Sequence, residues 1–259
     1  DGSTVCPDGS TVCPDGSIIC PDGSIVCTDG DTNCVDGNSL SGNHVLREVF
    51  RTYGILMAYA SDNIVSGNKV NVTSKLNRTV DPTNSTNSMV GIDLYYNCHN
   101  NVFSDNNVYV EGYDNYIYGM GVLGYYTGHD APEGQGATNN QYIGNTIVVK
   151  GHYFVEGIVI GDESRNTLIQ DNVVEAESTN VSYGVNLEMS QKSIITGNTF
   201  TLNSDIVYGI EAIDSNDNTI DNNEFEINAK QGYGFVFSKS SNNNVYSNTI
   251  DLYATGENI

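Results

Sequence analysis

Cysteine is the residue type with most chemical potential in this chain, and its spacing is regular. Five cysteines recur seven residues apart, at Cys6, Cys13, Cys20, Cys27 and Cys34, and a sixth stands far downstream at Cys98. Each of the five belongs to a heptad of the type DGSTVCP, running through residues 1–37. Asp-Gly is a tight-turn signal, the residues before Cys favour a short extended run, and Pro after Cys removes a backbone donor. The heptads therefore read as a string of short arches. Disulfide cross-linking is the first reading, because sequons and a secreted-looking composition imply an oxidising setting. Soft-metal binding comes second; no C-x-x-C pair or nearby histidine supports zinc. A calcium loop at Asp29, Asp31 and Asn33 is third, with Cys34 standing where such a loop needs Gly. Five thiols are an odd number, so either Cys98 closes the set or some reach a neighbouring molecule. Cys98 is expected at an accessible coil corner.

Acid–base chemistry has less to work with. Outward acids occur at Glu111, Glu175, Glu177, Glu224, Glu226 and Asp251, scattered along the chain. Two of them could be spaced for general acid–base catalysis, but almost any acidic solenoid would offer such a pair. Bases are few, with Arg165 alone near acids, at Asp162 and Glu163. His44, His99, His129 and His152 show no ligand spacing. No catalytic residue, metal ligand or cofactor is assigned, and the chain is expected not to be an enzyme. Four N-x-S/T sequons, at Asn71, Asn77, Asn84 and Asn180, are candidate glycan acceptors. Three of them cluster in and beside the segment Thr73–Met89, an insertion of about a dozen residues that should loop outward. A second insertion, Gly124–Asn139, should do the same.

The element that must carry these residues is a repeat. The motif N-x-φ-x-x-N-x-φ, with φ apolar, places its second Asn at Asn43, Asn68, Asn106, Asn145, Asn172, Asn198, Asn223 and Asn248. The intervals are 25, 38, 39, 27, 26, 25 and 25 residues, a solenoid period. After each Asn the pairs Val70/Val72, Val108/Val110, Ile147/Val149, Val174/Ala176, Phe200/Leu202, Phe225/Ile227 and Ile250/Leu252 alternate with polar residues, a half-buried strand. A Gly follows at Gly54, Gly91, Gly119, Gly157, Gly184, Gly209 and Gly234, opening a second strand. A third short apolar site, from Val65 to Val245, precedes the Asn. Three faces in about 25 residues predict the coil of a parallel β-helix, with Asn at the corners able to bond turn amides and stacked neighbours. Arg47 sits where an apolar residue is expected, so the first coil should be irregular; a short amphipathic helix through Val45, Leu46, Val49 and Phe50 is the rival.

N63-I-V-S-G-N68-K-V70 and N218-T-I-D-N-N223-E-F225 resemble the right-handed parallel β-helix repeats of NosD-like proteins and of many cell-surface proteins of methanogenic archaea. The likeness covers 38–259. It implies an all-β fold, a right-handed parallel β-helix of about seven to eight coils, preceded by the cysteine heptad arm at 1–37. It also implies company with surface layers and tubular sheaths, which are acidic, glycosylated and chemically resistant. The scaffold itself hosts lyases, hydrolases, adhesins and structural proteins alike.

Composition narrows the partners. Ten bases against 32 acids give a formal charge of −22, which excludes nucleic acid and anionic polysaccharide as natural partners. No apolar run approaches the ~18 residues that membrane insertion needs. The first residue, Asp1, falls on a repeat boundary, as after removal of an upstream segment. Beyond Tyr253 no capping helix is legible, so the last coil is expected to show bare edges and to be covered by another copy. The reading that results is an extracellular structural protein, self-assembling into a disulfide-cross-linked homopolymer of the cell surface, a sheath or surface layer, with glycans covalently attached. An adhesin or glycan-binding module, and a polysaccharide lyase or hydrolase, are the alternatives.

Overall fold

In the computed structural model the described residues are 4–5, 11–12, 18–19, 25–26, 39–41, 44–47, 52–73, 88–95, 97–112, 116–122, 136–161 and 163–254. From residue 39 onward they form a right-handed parallel β-helix whose coils contribute three faces.

The first face is an eight-stranded sheet of three-residue strands, from Ser39–Ser41 to Asn244–Tyr246. The second face stacks His44–Arg47, Lys69–Thr73, Asn107–Glu111, Thr146–Gly151 and Val173–Ser178, all in parallel register. The third stacks Thr52–Ala58, Ser88–Tyr95, Tyr116–Val122, Phe154–Ile160 and Val181–Glu188. In the lower coils the second and third faces fuse, because Thr199–Ile213 and Glu224–Ser238 each run unbroken through both.

The apolar rows predicted for the second face line the interior: Val70, Val72, Val108, Val110, Ile147 and Val149 are all 0 % exposed. At about 1.5–3 kcal/mol for each fully buried aliphatic side chain, these rows are the main driving force of the stack. Phe200 on Phe225 continues one of these rows as a parallel stack at 4.7 Å, and Phe103 on Tyr142 does the same on the first face at 5.1 Å.

Two expectations are refined. The glycines do not open the third-face strands; Phe154–Ile160 and Val181–Glu188 begin three residues before theirs. Gly157 and Gly184 sit mid-strand at the point where the opposite wall comes closest. Nor are the motif asparagines themselves the strained corner residues. The left-handed backbone falls one residue earlier, at Asp62, Asn100, Asn139 and Asp217 before one Asn row, and at Gly67, Asp105, Asp171 and Asn222 before the other. This frees the asparagines to turn inward, where Asn140, Asn145, Asn218 and Asn223 are fully buried.

Inward-facing asparagines must be paired, and they pair with each other. Each backbone N–H and each Nδ2 of Asn68, Asn106, Asn145, Asn172, Asn198 and Asn223 donates to the Oδ1 of the next Asn down, at 2.9–3.0 Å. A second ladder joins Asn63, Asn101 and Asn140, and resumes at Asn218 and Asn243. Thr167 and Ser193 interrupt it. Ser193 keeps one link through its backbone N–H to Asn218, whereas the Thr167 hydroxyl is buried without a partner.

The first coil is strand, not helix, over His44–Arg47, with Arg47 opposite Val72. The parallel backbone ladder with Lys69–Thr73 holds it extended where an i,i+4 pattern alone suggested a helix. Residues 48–50 of that rival helix lie outside the described residues. In the arm, Thr4–Val5, Thr11–Val12, Ile18–Ile19 and Ile25–Val26 form a four-stranded antiparallel meander, whose last strand lies against Thr52–Ala58. The arm cysteines, Asn77, Asn84, His129 and most of the second insertion lie outside the described residues.

Candidate functional site

Cys98 is not an accessible corner thiol. His99 pairs with Ser61 and Thr138, which puts Cys98 in a row with Ala60, Ala137, Ser164, Ser190, Ser215 and Ser240. Cys98 is 0 % exposed, accepts from the Ala60 N–H and donates from Sγ to the Met57 carbonyl one coil above. Ser215 plays the same part lower down, accepting from the Ser190 N–H and donating to the Leu187 carbonyl. The thiol is a member of an inward hydroxyl-type ladder. The one-residue offset was invisible without the strand register, because Cys and Ser are equally at home on either side of a corner.

The scattered acids, by contrast, are partly gathered. Parallel register sets Lys150 directly between Glu111 above and Glu177 below. Its Nζ lies 3.0 Å from Glu175 and 2.9 Å from Glu177. These bonds, Glu177 first, hold the lysine well above its ordinary pKa range. Tyr109 donates to Glu111 at 2.6 Å, and burial together with that bond pushes its hydroxyl up to about 12. Gly112, Gly151, His152, Ser178 and Thr179 complete an open cleft of about 350 Å³ around the pair. The His152 Nδ1 is 2.9 Å from the Thr179 hydroxyl, which donates to the His152 carbonyl. Lys150, rather than Arg165, is thus the base among the acids; Arg165 stands exposed on the corner row between Thr138 and Gln191. Lys150→Met is expected to cost about 1 kcal/mol at low ionic strength and almost nothing in molar salt, as thermal melts at the two conditions would show.

Glu224, Glu226 and Asp251 remain on the exposed surface of the lower coils, away from Lys150. Among the sequons, Asn71 lies mid-strand beside Tyr109, its Oδ1 buried and unbonded, and Asn180 sits half-buried in the turn before Val181–Glu188.

A second acidic group was missed at the sequence level. On the outer side of the third face, Glu156 and Asn186 are each only 7 % exposed, and Asn186 Nδ2 donates to Glu156 Oε1 at 3.0 Å. Burial, against the opposing bond from Asn186 and reinforced by Glu188 and Glu211, pushes the Glu156 carboxyl up to about 7. Burial also raises Glu211. Tyr183, Tyr208 and Tyr233 stack beside them at 4.9 and 5.2 Å. Their rings lie face to face along the axis, so they serve as packing and offer ligands mainly edges. The signal was present: outward positions on the glycine strand recur at a 25-residue interval, as Asn186 and Glu211 do.

These features define a right-handed parallel β-helix with polar outer faces and ladder-bonded corners. Residues 135–255 match the model of the family described as periplasmic copper-binding protein (NosD). No curated protein and no solved structure matches the chain. Copper prefers imidazole, thiolate or thioether ligands brought together. Among the described residues no three of His, Cys, Asp and Glu are placed to hold a metal. Cys98 and His99 are engaged in the corner rows and His152 with Thr179, so the described residues do not fit copper and it enters no step below. No helix of the described residues is long and apolar enough to cross a membrane.

Proposed function

We propose that this chain is an extracellular structural protein that associates with further copies of itself through its coil ends. One observation carries the reading: among the described residues the coil at 240–254 presents an open lower face built like the buried ones above it. Ile250 and Leu252 are 39 % and 46 % exposed, where Phe225 and Ile227, their counterparts one coil up, are 2 % and 0 %. Val245, Tyr246 and Tyr253 are exposed on the same coil. The ladders stop there too. Asn198 and Asn223 donate from backbone N–H to the next Asn, whereas among the described residues no further Asn lies below Asn243 and Asn248, whose Nδ2 groups turn back to the Ser215, Ile220 and Tyr246 carbonyls. A complementary surface must offer amide oxygens at this spacing together with apolar rows. The first coil of a second copy has the same sequence motif, and its strands pair in register with the coil below, Ser39 with Ile64 and His44 with Lys69.

Placement outside the cytoplasm is supported by the description of the matched family as periplasmic, by the sequons and by the heptad cysteines. The arm strand Ile25–Val26 lies against Thr52–Ala58 of the first coil, and the heptad cysteines of the arm's sequence would weld stacked copies by disulfides in a sheath or surface layer. Sedimentation velocity over a wide concentration range, in oxidising and reducing buffer, tests both parts. Reversible association under reducing conditions, locked into a thiol-sensitive ladder by oxidation, is expected. Because Ile250 and Leu252 are 39 % and 46 % exposed, stacking buries only about 1 kcal/mol of apolar surface at each, and Ile250→Lys with Leu252→Lys should weaken association by about tenfold to a hundredfold. A chain that stays monomeric at every concentration overturns the proposal.

The cleft at Lys150 favours a second reading, a glycan-binding surface module, since it offers charged and hydroxyl groups on an open rigid wall. Binding on a glycan array without self-association would select it.

A further inference from the structure

We propose that Glu156 and Asn186 form a proton-dependent acid–amide clasp joining two successive coils on the outer side of the third face. Glu156 stands between Tyr118 above and Tyr183 below; Asn186, one coil further, stands between Val159 and Glu211. One half of the clasp is visible as the bond from Asn186 Nδ2 to Glu156 Oε1. The other half explains an otherwise costly feature: Asn186 Oδ1 is buried and has no hydrogen-bond partner. An ionised carboxylate cannot help it, being an acceptor only. A carboxyl that keeps its proton can donate from its second oxygen to Oδ1. This closes a ring of two hydrogen bonds that leaves both amide groups satisfied.

The surroundings favour that neutral form. The titratable groups facing Glu156 are Tyr116 and Tyr118 on the strand above, Tyr183 and Glu188 on the strand below, and Tyr208 and Glu211 on the next, with no base among the groups acting on it. Glu188 and Glu211 would repel a third negative charge, and burial denies it water. The carboxyl accordingly sits near 7 against an ordinary 4.5. The sign of the linkage follows. A raised carboxyl makes the folded chain the better proton binder, so its stabilising effect is full below about 4.5 and is lost as pH rises through about 7. Above that, Glu156 ionises, one of the two bonds opens, and the outer layer of these two coils loosens.

Infrared difference spectra of the chain between pH 5 and pH 9 test this (a range chosen to bracket about 7). The expected result is a hydrogen-bonded carboxylic C=O component that is lost with a midpoint near 7, above the titration of the ordinary carboxyls, and is absent in Glu156→Gln. In Asn186→Leu the band should move to the position of an acid without a hydrogen-bonded partner. In Glu156→Gln the melting temperature should lose its decline between pH 5 and 8, since an amide–amide pair keeps both bonds throughout. A wild-type spectrum with no protonated carboxyl at pH 6 overturns the clasp without any variant. So does a band that Asn186→Leu leaves unmoved.

Discussion

Asn172→Ala is expected to destabilise the chain by about 4 kcal/mol, far more than most loss of a polar side chain. Asn172 Oδ1 accepts both the backbone N–H and the Nδ2 of Asn145, and its own Nδ2 donates to Asn198 and to the Tyr142 carbonyl. Alanine would orphan the Asn145 N–H and the Tyr142 carbonyl in an interior that water does not reach, at about 1–3 kcal/mol each, besides the bonds lost. The two adjacent rungs would lose mutual polarisation as well. Asn248→Ala is the internal control. Asn248 takes the same two bonds from Asn223 but is only half-buried, and its own Nδ2 bonds near solvent. It should cost about a third as much. Equal losses in denaturant titrations of the two variants would show that burial of the ladder is not the source of its strength.

Gly184→Ala is expected to cost about 3 kcal/mol or more, or to prevent folding. A Cβ there would stand 2.5 Å from the Gly209 carbonyl oxygen and 2.9 Å from the Phe200 ring. The carbonyl belongs to the next coil's backbone, so it can retreat only by prising two coils apart, which breaks the strand ladder on that face. The same column at Gly91, Gly119, Gly157 and Gly209 meets the next glycine's carbonyl at 2.4–2.7 Å. Gly234 ends the column and meets only the tip of Ile250, at 2.4 Å. That side chain is exposed and can turn away, so Gly234→Ala should melt within a few degrees of the parent. If Gly234→Ala proved as damaging as Gly184→Ala, backbone contact would not be what demands glycine.

These two columns show how far residue types alone could be read. The Asn-to-Asn period located two corners of each described coil, and apolar alternation named the buried pairs from Val70/Val72 to Phe225/Ile227. Both signals are local and repeat, so each coil confirms its neighbours. The reason for glycine was less legible. A requirement that looks like turn flexibility is a requirement for space, set by a carbonyl 25 residues away. The corner rows failed at Cys98 for a similar cause. A one-residue shift at a corner exchanges inside for outside, and only the pairing of His99 with Ser61 and Thr138 decides which applies.

Chemistry on the outer walls was the least legible of all. Lys150 meets Glu175 and Glu177 because coils of unequal sequence length still stack in strict register, so residues 25 to 27 apart become neighbours. Glu156 and Asn186 come together diagonally across two strands, a relation that no one-dimensional spacing announces.

From the amino-acid order alone followed the solenoid, the parallel coil, its inward rows and the acidic, repeat-built character of the molecule, since each is dictated by neighbours within about 25 residues. The third dimension alone assigned which asparagines bond which carbonyls, which thiol is sealed inside, and which carboxyl is buried beside an amide. Those properties depend on burial and on contact between successive coils, and stacking supplies both.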